Sequence, residues 1–309
     1  MLPLRLKLTA LLTCGFLLLT ACQAIPPAAE PLPSPSPTPE LAPTRAMPTK
    51  TAPSLSVEQT PSVIPQISNY ASLDEDLSDE IDWFILIKDA DSGENLFERN
   101  PEAAFTPASM IKIPTAMAVM SILEDQGRSL EDLNNVGIGD RNFTKLLEAM
   151  VVHSEESATD MLEYFARGEN RLRKKLDAWG LTDTRYDPRV STATDLITAL
   201  ELLHQGKALN PENTAFLLDL MGAYTENDHI LLGKLNEELP ECVFLNKRGT
   251  LLNPTIAADM GILTCGERSW YLVVAGTPAA ESKATFEDIQ AFIESFALAF
   301  ARLVKPSLR

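Results

Sequence analysis

The chain is 309 residues long, with a formal net charge of −17, 22 prolines and four cysteines. An excess of carboxylates on this scale excludes nucleic acid as a partner and an electrostatic grip on anionic lipid. No glycine-rich phosphate loop is present, and His153, His204 and His229 lack metal-ligand spacing, so neither a metal nor a cofactor is expected.

The N-terminus reads MLPLRLKLTALLTCGFLLLTACQA. Arg5 and Lys7 make a positive n-region, and an apolar run over 8–21 ends in small residues before Cys22, which is the layout of an export signal. The run is shorter than the roughly 20 residues of a spanning helix. Leu19-Thr20-Ala21-Cys22 resembles a bacterial lipobox, which implies a signal peptide over 1–21 and a lipid on Cys22; the alternative is a plain secretory signal with an incidental cysteine. A lipidated chain is anchored to the membrane without spanning it, facing the periplasm or the cell exterior.

Twelve of the prolines fall between Pro26 and Pro65. Such a segment has too little apolar material to offset its ordering entropy, so 22–66 reads as an extended tether. At about 3.1 Å per residue it reaches up to roughly 130 Å. Residues 67–309 remain as the folded domain, enough for one large domain or two packed lobes.

WFILIKDADSGENLFERN (83–100) predicts two strands joined by a turn at Asp91-Ser92-Gly93. Pro107 precedes a helical pattern over 109–125, with Ile113, Met117, Met120 and Ile122 as a core-facing stripe. Amphipathic helices are expected at about 142–152, 156–167, 169–179, 192–205 and 211–223. Strands return at 242–250, 255–265 and 268–276, with a turn at 251–254, and a last helix follows a cap at Thr285 or Glu281-Ser282. Trp83, Trp179 and Trp270 read as packing. This order predicts an α+β fold: an antiparallel five-stranded sheet built from both ends of the chain, flanked by terminal helices, with an inserted all-helical lobe. Paired around the 251–254 turn, the strands bring Cys242 and Cys265 within a residue or two of opposite. An exported chain permits a disulfide between them, subject to register.

The chemistry centres on FTPASMIKIPTA (105–116). A nucleophilic serine needs a base, an oxyanion site and a proton donor for the leaving group. Ser109 at a helix N-terminus lies near unpaired N–H groups, and Lys112 follows one turn later on the same face. A lysine serves as base when burial or a second cation disfavours its charged form. Lys247, in Lys247-Arg248-Gly249-Thr250, is either that cation or a holder of the substrate carboxylate. Ser154 falls in a short break between two helices, where a hydroxyl can point into a cleft and relay a proton. His153 beside it reads as a helix-end residue with a structural role.

Serine-x-x-lysine, then serine, then lysine-x-glycine, in this order and on these element types, resembles the class A β-lactamase family and the wider penicillin-recognising serine hydrolases. The resemblance covers roughly 80–304. It implies that Ser109 is acylated, with Lys112 as its general base or proton shuttle. Ser154 would relay a proton to the leaving nitrogen, and Lys247 would orient substrate and tune the site. The N–H groups of Ser109 and Thr250 would form the oxyanion hole, and Gly249 fits a place where backbone approaches substrate closely.

The chain departs from the family in three places. The second motif usually reads Ser-Asp-Asn, and here it is Ser154-Glu155-Glu156. An ionised Glu156 only accepts hydrogen bonds, so either the substrate brings a donor or cation, or Glu156 is neutral or turned away. Arg248 replaces the usual hydroxyl of the third motif. It grips a substrate carboxylate, pairs with Glu156 or faces solvent. Third, class A enzymes carry a loop glutamate that activates water to hydrolyse the acyl-enzyme, whereas GLTDTRYDPRVSTATDL (180–196) has none. Glu155, Glu156 and Asp187 are the available substitutes.

Two functions compete. The first is a lipid-anchored monomeric serine hydrolase that forms an acyl-enzyme with β-lactams or acyl-D-alanyl wall peptides and deacylates slowly. The second is a binding or sensor lipoprotein that keeps the fold without turnover. Retention of Ser109, Lys112, Ser154 and Lys247 together favours the enzyme, and the altered Glu155, Glu156 and Arg248 favour a changed substrate.

Overall fold

The computed structural model describes residues 70–135, 137–166, 168–223 and 230–308. The expected signal peptide, Cys22 and the proline-rich tether lie outside the described residues, as does His229. No helix among the described residues is long and apolar enough to cross a membrane.

After a 3₁₀ turn (Tyr70–Asp76), strands β1 (Ile81–Asp89) and β2 (Asn95–Arg99) form a hairpin. Its turn is tied by Asp89, whose Oδ1 accepts from the N–H groups of Asp91 and Ser92 and from the Ser92 hydroxyl. A 3₁₀ turn (Ala108–Ile111) leads into α1 (Lys112–Glu124). The helical lobe continues through α2 (Leu130–Asn134), the short hairpin β3 (Gly137–Ile138) and β4 (Arg141–Asn142), α3 (Phe143–Val151), α4 (Glu156–Phe165) and α5 (Glu169–Ala178). A second short hairpin, β5 (Arg185–Tyr186) and β6 (Arg189–Val190), precedes α6 (Ala193–His204) and α7 (Pro211–Met221). Then come α8 (Lys234–Glu238), the meander β7 (Val243–Leu252), β8 (Thr255–Cys265) and β9 (Arg268–Pro278), and finally α9 (Phe286–Val304).

The sheet order is β2-β1-β9-β8-β7, with every neighbouring pair antiparallel. Strands from the two ends of the chain therefore meet at β1–β9, as the element order predicts. Strand alternation splits the core in two. Ala258, Met260 and Ile262 of β8 pack on the helical lobe, whereas Ala257 and Leu263 pack on the α9 side. Both faces are covered, so β8 and β9 are buried almost throughout. Ile289, Ile293, Phe296 and Phe300 of α9 are fully buried on that second face, at about 1.5–3 kcal/mol each. Thr285 starts this helix through a capping box with Asp288, which settles the cap in favour of Thr285. Trp83 and Trp270 are buried, and Trp179 packs against the lobe's core.

Three expectations change in detail. The apolar stripe predicted on one side of α1 is burial on every side, from Lys112 to Leu123, because this helix is the centre of the lobe and packs against α3, α4, α5 and α6. The α-helix begins at Lys112, so Ser109 sits in the preceding 3₁₀ turn. The β7–β8 turn contracts to Asn253-Pro254, because Leu251 and Leu252 pair with Ile256 and Thr255. Elements too short to show a period, α2, α8 and the two small hairpins, complete the chain. Cys242 and Cys265 are disulfide-bonded, with Cα atoms 4.4 Å apart.

One carboxyl is buried inside the sheet. Asp259 of β8 lies opposite Arg248 in register, and both its oxygens accept from Asn246 Nδ2 at 3.0 Å. Burial, only partly offset by that hydrogen bond and by the charges of Arg248 and Lys247, pushes its pKa up to about 7. Between about pH 4 and pH 7 the unfolded chain has released this proton and the folded protein keeps it. Stability therefore falls as pH rises through that window and levels off above it. Asp259→Asn removes the slope: its thermal midpoint relative to the parent should climb by at least about 3 °C from pH 4 to pH 7.5. A pH-independent difference in scanning calorimetry would contradict the buried ionisation.

Candidate active site

Three segments meet in a cleft of about 430 Å³. The 3₁₀ turn before α1 brings Ser109, the α3–α4 break brings Val152, His153 and Ser154, and β7 brings Lys247, Arg248 and Thr250. Ile230 and Phe286 close the remaining wall.

Each segment is shaped by its backbone. Pro114 falls in the first turn of α1, where a missing N–H leaves no helical bond unmade. Ala108, directly before Ser109, has φ of 47°, and Ser154 has φ of 58°. Such left-handed residues cost about 1–2 kcal/mol when they are not glycine, and they persist only where the surroundings hold them. Around Ser154, the Glu155 N–H bonds the Ala149 carbonyl, and Lys112 Nζ donates to the Ser154 carbonyl at 2.6 Å. The turn that presents the serine is thus clamped at its main chain.

Gly249 has a different reason from the one expected. A Cβ there would lie 2.6 Å from the Pro107 carbonyl oxygen, 3.1 Å from Met110 Cγ and 3.2 Å from Ala108 Cβ. The close approach is between β7 and the turn that carries Ser109, so this glycine sets the distance between that turn and the strand.

The two lysines converge on one hydroxyl. Lys247 Nζ donates to Ser154 Oγ at 3.0 Å, and Lys112 Nζ approaches the same oxygen at 3.4 Å. Both side chains are buried, at 1% exposure for Lys112 and 6% for Lys247. Lys112 also meets Glu156 Oε2 at 3.0 Å, so its three N–H bonds have three acceptors. Lys112 opens α1 directly after the 3₁₀ turn that carries Ser109, and among the described residues its head group hydrogen-bonds Ser154 and Glu156.

Glu156 is neither neutral nor turned away. Burial raises its carboxyl, but hydrogen bonds and charges from Lys112 and Arg189 outweigh this, and its pKa is lowered. The arginine on Glu156 Oε1 is Arg189 of β6, not Arg248. Arg248 lines the cleft beside Lys247. Glu155 is committed elsewhere: both oxygens bond Arg141, at 2.7 and 2.8 Å, and Oε1 also accepts from Ser157. The Arg141 hydrogen bonds, with that of Ser157, hold its pKa at about 2. His153, expected to serve the helix end, is instead exposed and lines the cleft beside Ser154. Asp187 is exposed in the turn of the β5–β6 hairpin. Arg141 and Arg189 are the charged partners that sequence reasoning missed, each a lone arginine far along the chain from its glutamate.

Residues 71–299 match the family model described as the beta-lactamase enzyme family. The chain belongs to that family. No curated protein matches it in sequence. Among solved structures it resembles PBP-A, at 18% identity and a TM-score of 0.61 over 76% of this chain and 97% of the other. It resembles the TLA-3 extended-spectrum β-lactamase at 19% identity, with a TM-score of 0.61 over 74% and 97%. A variant of the class A β-lactamase of the last common ancestor of Gram-negative bacteria is similar at 23% identity, with a TM-score of 0.63 over 76% and 98%. At these identities the structures establish the β-lactamase-like fold, and the family match places the chain in the beta-lactamase enzyme family.

If Gly249 sets the strand-to-turn distance, Gly249→Ala should lower stability by about 1–3 kcal/mol, because the nearest obstacle is backbone. Gly137, with nothing within 4 Å of its would-be Cβ, supplies the control: Gly137→Ala should change little. Equal denaturation midpoints for the two variants would refute the packing argument.

Proposed function

We propose that this β-lactamase-family protein acylates itself at Ser109 with β-lactams and with acyl-D-alanyl wall peptides, and that deacylation limits its turnover. The observation that carries this reading is the environment of Ser154. Its hydroxyl has two acceptor sites and one hydrogen. Lys247 and Lys112 approach the oxygen, so the hydrogen is left to donate into the cleft.

Attack by Ser109 Oγ on the amide carbonyl forms a tetrahedral oxyanion, which the N–H groups of Ser109 and Thr250 receive. Lys112 takes the Ser109 proton as it passes one of its own to Glu156 across their contact. A proton passes through Ser154 to the leaving nitrogen as the C–N bond breaks, and Lys112 restores it. Lys247 and Arg248 carry the positive charge that suits a substrate carboxylate. The absence of a glutamate from 180–196, and the commitment of Glu155 to Arg141, support slow hydrolysis of the ester. One structural relative, a PBP-A mutant, is described as an acyl-enzyme complex with penicillin G. The same proposal holds the domain outside the cytoplasm on a lipid at Cys22, a reading supported by the layout of residues 1–66 alone.

Intact-mass spectrometry of the folded protein with benzylpenicillin tests the nucleophile. A covalent adduct should form, persist for minutes or longer, and vanish in Ser109→Ala. Ser154→Ala should slow its formation by about 10²-fold, as expected for loss of a positioned proton donor. An adduct that survives in Ser109→Ala, or none in the parent protein, would overturn the proposal.

A further inference from the structure

We infer that Glu156 is the group that activates water for hydrolysis of the acyl-enzyme, and that Arg189 restrains it; this rests on acylation of Ser109. A base for this step must be ionised, open to solvent, and connected to a group that can return a proton to Ser109. Glu156 meets all three conditions. Its carboxyl pKa is held down by Lys112 and Arg189, so it is a carboxylate at neutral pH. Its side chain is 51% exposed, which leaves it open to water. It touches Lys112 at 3.0 Å, and Lys112 stands three residues from Ser109 and within reach of Ser154.

The alternatives lack one condition or another. Glu155 is bonded by Arg141 and Ser157, and among the described residues it makes no contact with Lys112 that could return a proton. Asp187 lies at the hairpin turn, and no contact joins it to Lys112, Ser154 or Lys247 among the described residues.

In the step itself, the oxygen of water bonds the ester carbon and its proton passes to Glu156. Glu156 passes this proton on to Lys112 across their contact as Lys112 gives up one of its own. Lys112 returns one to Ser109 Oγ as the Oγ–C bond breaks, leaving a carboxylic acid and free serine. The second cation explains why the step is slow. Arg189 bonds Oε1 while Lys112 bonds Oε2, and a carboxylate stabilised by two cations is a weaker base.

The test measures the lifetime of the benzylpenicillin adduct by intact mass after excess drug is removed. Glu156→Gln should still form the adduct and lengthen its lifetime by about a hundredfold. Arg189→Met should shorten the lifetime several-fold, because it frees the base. The double variant should be as slow as Glu156→Gln alone, since the acceleration acts through the carboxylate. A structural role for the pair does not predict faster release on loss of Arg189. Adduct formation at full stoichiometry reports an intact site in each variant. Unchanged lifetimes in Glu156→Gln would overturn this inference while leaving acylation at Ser109 standing. Absence of any adduct in the parent protein would overturn both.

Discussion

Two buried ammonium groups meeting at one serine hydroxyl are the constraint from which the rest of the site follows. Lys112 and Lys247 come from a helix and a strand 135 positions apart in the chain, and both end at Ser154. Burying charge without a partner costs several kcal/mol, so a pair of cations this close needs an anion and well-made hydrogen bonds. Glu156 supplies the anion and the clamped Ser154 carbonyl supplies one of the bonds. The left-handed backbone at Ser154 is a consequence: the main chain turns so that carbonyl and hydroxyl both face the lysine.

The architecture serves this convergence. The sheet closes with strands from both ends of the chain, which leaves β7 as an edge strand. That edge lies against the 3₁₀ turn of Ser109, and Gly249 allows the contact. The helical lobe provides the opposite wall through the α3–α4 break and the β5–β6 hairpin, which brings Arg189 to Glu156. Ser109, Ser154 and Lys247 therefore belong to three structural units, the turn before α1, the α3–α4 break and β7. Their relative position depends on contacts between the units, and at Gly249 that contact leaves no room for a side chain.

Much of this was legible in the sequence because it is periodic or punctuated. The helices between 142 and 223 follow the apolar spacing, and the sheet strands follow their composition and turns. The order of the motifs at Ser109, Ser154 and Lys247 pointed to one site because three weak signals on suitable elements constrain one another. What stayed hidden depends on contacts between distant segments. Arg189 is 33 positions from Glu156 and belongs to a two-residue strand, too short to carry a period. The start of α1 was misplaced because a 3₁₀ turn and an α-turn share residue preferences. The function of Gly249 could not be read because a glycine does not state what approaches it.

The departures at Glu156 and in the 180–196 loop look independent in the sequence, and the geometry joins them. In the class A pattern the second motif ends in a neutral amide and the loop carries the carboxylate. Here the motif carries the carboxylate and the hairpin that stands in the loop region carries Arg189. The lysine thus still has its anion, now supplied from α4, with a cation added behind it. Electrostatically the exchange matters because a second cation withdraws basicity from the carboxylate without removing it from the site. On the proposed reading, such an arrangement holds Lys112 in place firmly and leaves Glu156 a weak activator of water.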